Sequence, residues 1–277
     1  MIALIAALAL ALALTGCGGA SNSSSRASSA STGAAGSGAG KLPLKNAGQL
    51  TVGAEFPVTG FVELPRSNPK GFEVDVAGQI AHQLHVPKVS WMQVVFANLF
   101  SPAPKQFDFV INEVTITPQR KTVDDFSIPY FDANQGVLVR KGTPAAHTVT
   151  LNQLRKLQLG GQASTTGLDY IKSTIKPSAS PREYSSTPAA AQAVANGQID
   201  GFVIDVPIAI KLAQQFPKQL AVSGEIITNE RYGILFQKGN PLRAQVNQAL
   251  RKLEADGTLK RLQDKWFPGS TNLPMIR

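Results

Sequence analysis

Asn112, Glu113, Thr115, Thr117 and Arg120 fall within nine residues, in the stretch FVINEVTITPQRKTVDDFSIPYF from Phe109 to Phe131. The FDFVI that leads into it is almost wholly apolar, the composition of a short strand covered on both faces. A guanidinium just past the carboxyl end of such a strand is suited to gripping a carboxylate, because its planar fork offers parallel N–H groups in fixed geometry. The competing use of Arg120 is a surface ion pair with Asp124 or Asp125, an arrangement worth little energy.

Nucleophilic and metal chemistry have less to work with. The three histidines are His82, His85 and His147. His82 and His85, three apart on an expected helix, could share a metal only with a third ligand that the pattern does not offer, so they read as solvated helix residues. No Ser–His or Cys–His pairing suggests itself, and neither a metal nor a cofactor is expected. The 277 residues carry a net charge of +9, but the lysines and arginines are spread along the chain without basic runs or interleaved aromatics. Nucleic-acid binding is therefore not expected. A hydrophobic content of 43% is enough for a packed core.

The one cysteine, Cys17, ends MIALIAALALALALTGC, an uncharged apolar run. It is shorter than the about 20 residues of a membrane span and has the character of a secretory leader. Leu14-Thr15-Gly16-Cys17 resembles a bacterial lipobox, in which cleavage leaves the cysteine as a lipidated first residue. No Lys or Arg precedes Cys17, so the start codon is expected upstream. Residues 1–17 are expected to be a lipoprotein signal peptide. Residues 18–44, mostly Ser, Gly and Ala, are expected to be a disordered tether spanning on the order of 25 Å.

The elements that must position Arg120 alternate along the rest of the chain. LTVGAE, KVSWMQVVF, FDFVI, QGVLVRK, LQLGGQ, IDGFVI and RYGILFQK read as strands. GFEVDVAGQIAHQL reads as a helix, with Phe72, Val76, Ile80 and Leu84 in i+4 steps. TTGLDYIKSTI, TPAAAQAVANG, VPIAIKLAQQF, the stretch after Asn240-Pro241, and GTLKRLQDKWF complete the helices, with Thr187 and Asn240 as expected caps. Strands alternating with helices imply parallel-sheet α/β architecture, in which ligands sit outside the carboxyl ends of strands.

TVGAEFP, GFEVDVAGQIAHQL, VTITPQRKTVDDFSIPYF, GGQASTTGLDYI, VANGQIDGFVIDVPIAI, RYGILFQKGNP and LRKLEADGTLKRLQDKWF follow one another in a familiar order and spacing. From about Lys45 to Pro268 the chain resembles the amino-acid-binding proteins of bacterial ABC importers, solute-binding protein family 3. The resemblance implies an α/β periplasmic-binding-protein fold of type II-like form, with a ligand cleft between two lobes. Lobe 1 would be 45–132 with 231–277 and lobe 2 would be 133–230. The hinge crossings would lie near Phe131-Asp132-Ala133 and Asn229-Glu230-Arg231. It further implies that Arg120, Thr115, Thr166 and Thr165 hold the ligand α-carboxylate and Asp205 the α-ammonium. Phe96 and Phe56 would pack on the ligand side chain, and Gln162 would line its pocket. Glu55, Asn112 and Glu113 would make that pocket suited to a polar or cationic amino acid. The implied protein is a monomer on the outer face of the cell membrane, held by lipidated Cys17, serving the permease subunits of the transporter. The family often has small residues where this chain has Asn112-Glu113, and Gly where it has Ser164. The enzymatic alternative on the same fold is a cyclohexadienyl- or arogenate-dehydratase-like protein.

Overall fold

A strand order that sets β8 and β4 side by side at the centre of one sheet organises the computed structural model, which describes residues 42–147, 150–269 and 272–277. The expected leader, Cys17 and all but the last three residues of the expected tether lie outside the described residues. Those three are not free of the body: Leu42 and Leu44 pack against the core.

In chain order the elements are β1 (Gln49–Ala54), α1 (Phe72–Gln83), β2 (Lys88–Gln93), β3 (Phe109–Val110), α2 (Pro118–Val123) and β4 (Asp124–Arg140). There follow α3 (Leu151–Leu154), β5 (Leu159–Gln162), α4 (Thr166–Tyr170), β6 (Arg182–Tyr184), α5 (Thr187–Ala195) and β7 (Gly201–Asp205). The chain continues with α6 (Val206–Gln215), β8 (Leu220–Gln237), α7 (Leu242–Ala255) and α8 (Thr258–Trp266). The sheet runs β2-β1-β3-β8-β4-β7-β5-β6. β1 pairs in parallel with β2 and β3, and β5 in parallel with β6 and β7, as the alternation of strands and helices implies.

β4 and β8 span the molecule. They pair antiparallel from Asp124–Gln237 at one end to Arg140–Leu220 at the other. β3 joins the 235 end of β8, and β7 joins the 135–139 end of β4, so each long strand serves two half-sheets. Between the halves the register slips, between Ala133 and Gln135. Asn229 there has φ 53°, and Asn134 Oδ1 accepts the backbone N–H groups of Thr228 and Asn229 at 3.0 and 2.9 Å. An asparagine side chain thus replaces the ladder partners that the slip removes.

Apolar periodicity decides the packing. α1 buries Phe72, Val76, Ala77 and Ile80, and α7 buries Leu242, Val246, Leu250 and Leu253 in the same core. Around β4, β5 and β7 a second cluster gathers Val137, Val139, Leu154, Leu159, Ile171 and Val203. Two expectations change. Ser186, not Thr187, caps α5, accepting the N–H of Ala189, and this leaves Thr187 as a buried residue facing inward. The end of the chain, expected beside lobe 1, lies on the other half: Met275 bridges Glu225, and Arg277 O accepts the N–H of Leu151. Gly224 permits this approach, because a Cβ there would stand 2.6 Å from Pro274 O.

Candidate functional site

Arg120 is placed by a short helix whose start is written in Thr-Pro. Thr117 accepts the N–H of Arg120 at 3.1 Å and Pro118 opens α2, so the side chain of Arg120 turns back toward the end of β3. It is 8% exposed. Its guanidinium donates to Thr115 O at 2.7 Å and, across the gap between the half-sheets, to Ser164 O at 2.9 Å. The Phe100 ring lies under it at 4.4 Å and Phe96 at 5.6 Å. The surface-pair reading of Arg120 does not hold. Asp124 pairs with Lys105 at 3.4 Å and Asp125 with Lys238 at 3.2 Å, whereas Arg120 has no ion pair among the described residues.

A cavity opens beside it, lined by residues of both halves. Glu55, Phe96, Asn112, Glu113, Thr115, Arg120, Gln162, Thr165, Thr166 and Asp205 all border it, together with Val58, Gly167, Thr187, Ile204 and Ile208. The volume is about 20 Å³, room for roughly one water-sized group. Phe56 does not border it: that ring is packed edge-on against Trp91 with centroids 6.0 Å apart, although its loop neighbours Glu55 and Val58 do line the cavity. Phe61 is likewise committed to a core cluster with Phe72, Phe131 and Phe267.

The opposite wall comes from β5, α4 and β7. Thr165 caps α4 by accepting the N–H of Leu168 at 3.2 Å. Gly167 lets the helix start press on β7, since a Cβ there would meet Val203 O at 2.6 Å. Asp205 ends β7, 7% exposed, and accepts from Gln135 Nε2 and, at 2.6 Å, from the Tyr232 hydroxyl. Arg120 and Asp205 are therefore each held by neutral partners and not by one another.

Two residues outside the sequence expectation tie the cavity walls to the long strands β4 and β8. Glu230 accepts from Thr115 at 2.7 Å and Thr166 at 2.6 Å through one oxygen, and from Gln135 at 3.0 Å through the other. Its place in a crossing segment was legible, but this polar network was not. Glu73, on the buried face of α1, accepts the backbone N–H of Glu113 at 2.8 Å and the Tyr130 hydroxyl. An acid among the apolar residues of GFEVDVAGQ was its only signal. Thr187 donates to Gln162 at 2.7 Å, and Gln162 donates to Glu55 at 2.8 Å, joining the two walls a third time.

Burial sets the electrostatics. It brings Arg120 down to about 10, opposed by Asp205, Glu230 and Asp169, so the guanidinium stays charged at neutral pH. Asp205 is pushed up to about 7, first by burial and then by Glu230, against its bonds to Tyr232 and Gln135 and the charge of Arg120. Burial also raises Glu55, partly offset by Gln162 and the Phe96 N–H. Glu73 rises to about 7 by burial, and Glu113 rises well above the carboxylate range through burial and the neighbouring Glu73, Glu55 and Asp205.

Ser164 and Glu113 have φ of 65° and 47°, the left-handed region that glycine enters without strain. Both are positions where the resembled family often carries Gly or another small residue.

The sequence model of the bacterial extracellular solute-binding proteins, family 3, matches residues 50–269. The L-cystine-binding protein TcyJ of Escherichia coli (strain K12) is 33% identical over 230 residues, 81% of this chain and 84% of its own. The ABC transporter glutamine-binding protein GlnH of Bacillus subtilis (strain 168) is 30% identical over 219 residues, 78% of this chain and 76% of its own. The solved structure of an ancestral arginine-binding protein bound to arginine superposes with a TM-score of 0.72 at 32% identity, covering 79% of this chain and 98% of that one.

Proposed function

From the premise that this chain belongs to the bacterial extracellular solute-binding proteins of family 3, we propose that it captures a free amino acid outside the cytoplasm for an ABC transporter. The ligand class is polar or cationic. The observation that carries this reading is the cavity itself: one guanidinium faces Glu55, Glu113 and Asp205 across a space walled by both half-sheets. A zwitterion matches that lining, because each of its charges meets an opposite one already fixed in place.

In this reading Arg120 binds the α-carboxylate with Thr115, Thr165 and Thr166, and Asp205 binds the α-ammonium. Glu55, Asn112, Glu113, Gln162 and Phe96 surround the side chain. The residues fill the space they border, so a ligand enters by separating lobe 1 (45–132 and 231–277, apart from the last residues on Glu225) from lobe 2 (133–230). The bonds from Arg120 to Ser164, Gln162 to Glu55, and Thr115 and Thr166 to Glu230 are those a ligand would replace. The hinge lies at 131–133 and 229–231. The ligand favours the closed state by contacting both lobes at once.

Cys17 carries a lipid that holds the protein at the outer face of the membrane, within reach of the permease subunits, and the protein acts as a monomer. Palmitate labelling lost in Cys17→Ser is the expected outcome for that anchor. Among the described residues no helix is long and apolar enough to cross a membrane. The relatives reported above are binding proteins, and none supports the dehydratase alternative.

The test is a thermal-shift screen of the common amino acids and L-cystine. A ligand at 100 times its dissociation constant stabilises the protein by about 2.7 kcal/mol. If no amino acid raises the melting temperature at millimolar concentration, the reading fails.

A further inference from the structure

Glu113 is an expensive residue where it stands. It is 6% exposed, in the left-handed backbone region that disfavours every residue but glycine. One carboxyl oxygen accepts from Asn112 Nδ2 at 3.1 Å. The other, Oε1, is fully buried and has no N–H or hydroxyl donor among the described residues. The Glu113 carboxyl meets that of Glu73, and two carboxyls hydrogen-bond only while one keeps a proton, so beside a cavity such a pair can give up that proton to a cation from outside the chain.

The surroundings specify what that partner must be. Glu73 from α1 bonds the Glu113 backbone, with one oxygen of its own unpaired. Glu55 at the end of β1 and Asp205 at the end of β7 border the same space. Tyr130 of β4 bonds Glu73, Tyr232 of β8 bonds Asp205, and Glu230 of β8 lies at the opposite wall. Among the described residues Arg120 of α2 is the one cation bordering the cavity, and its guanidinium is already committed to Thr115 and Ser164. Four neighbouring carboxyl groups cannot all ionise around a single committed cation, so at neutral pH the cluster keeps a proton.

We infer that Glu113 is the group that selects the ligand side chain, and that a cationic side chain entering the cavity takes the place of the proton on its carboxyl. This rests on the amino-acid-binding reading above and sharpens its ligand class. The O–H bond of Glu113 breaks, the proton leaves to the buffer, and the ligand cation supplies the charge that the carboxylate then needs. Binding is therefore a one-for-one exchange of cations. The direction of the Glu113 shift, upward through burial and then through Glu73, accords with a proton held in the free protein.

Calorimetry on the full chain tests this with L-arginine, L-lysine and, as the uncharged comparison, L-glutamine. Titrations at pH 7 in phosphate and in Tris, whose ionisation enthalpies differ, count protons released. The expected result is close to one more proton released with L-arginine or L-lysine than with L-glutamine, and a dissociation constant for the cations that falls with rising pH by up to about tenfold per unit. Glu113→Gln keeps the backbone demand and side-chain size. It is expected to remove that difference in proton release and to weaken the cationic amino acids at least tenfold. Cationic binding without proton release, or L-glutamine bound tighter than either cation, overturns the exchange while the amino-acid-binding reading stands. If neither these three nor any other amino acid binds, both fall together.

Discussion

The crossing of β4 and β8 borders two spaces that differ in kind. On one side Gln135 and Tyr232 are fully buried and bonded to Asp205, and Glu230 joins Thr115 to Thr166. The space left there is about 20 Å³. On the other side 131–134 and 229–231, Glu230 included, border a groove of about 600 Å³, with Lys211 and Phe267 along its sides. In the first set the bonds of Tyr232 to Asp205 and of Glu230 to Thr115 and Thr166 span the half-sheets, while that of Gln135 to Asp205 lies within one. Among the described residues the second has the local bonds of Asn134 to Glu225, Thr228 and Asn229. Rotation of the halves about the register slip would break the spanning bonds of the first set and leave the second intact. If the proposed hinge lies here, the first side is where a ligand gains its affinity, and the second is slack that lets the strands bend.

That contrast breaks most decisively at Arg120 and Asp205. Removing one member of a hydrogen-bonded buried charge system costs about 2–5 kcal/mol, roughly thirty- to several-thousand-fold in affinity. Arg120→Ala and Asp205→Ala are each expected to abolish measurable calorimetric binding while circular dichroism reports a folded protein. Binding of Arg120→Ala within tenfold of wild type would remove the guanidinium from the site.

The acid cluster should sharpen the contrast next, through pH. Glu73 and Asp205 have folded-state values near 7 against unfolded values near 4.5 and 3.8, and Glu113 is raised well above the ordinary carboxylate range, first by burial and then by Glu73. Each therefore holds its proton more tightly in the folded protein. Their contribution is full below about pH 4 and lost progressively as pH rises through 7, by up to about 1.4 kcal/mol per pH unit for each group. The free protein is expected to melt at a higher temperature at pH 5.5 than at pH 8. A melting temperature that rises over that interval would show the carboxyls ionised and paired.

The smallest effect belongs to the groove. Arg231→Ala, at an exposed residue with no ion pair among the described residues, is expected to change affinity less than about twofold, within the usual range of surface substitutions. A tenfold change would make the groove part of the site.

The sequence showed the parallel halves because βα alternation writes itself in apolar periodicity. It hid the first half of β4 and the first half of β8. DDFSIPYFDAN contains a proline and changes its paired register around it, and LAVSGEIITNE is half exposed, so neither has one unbroken period. That Arg120, Asp205 and the Thr165-Thr166 pair border one cavity was implied by the family resemblance, whose motifs fall at caps and strand ends. Glu73 and Gln135 were not, since their partners lie far along the chain and no spacing within one element records them. Phe56 was misplaced for a related reason: a loop's aromatic residues carry no period to say which way they face.

The strand order also has a consequence in time. β1, β2 and β3 gain their neighbour only when Leu235 meets Val110. The stretch from Gln135 to Ile226 contains β7, β5 and β6 together with the strand segments they need. A chain emerging amino end first therefore completes its middle before its beginning. Contacts of such long sequence separation form slowly, because the intervening chain must be ordered before they repay the loss of freedom. The first half-sheet waits, unfinished, until nearly the whole chain has been delivered.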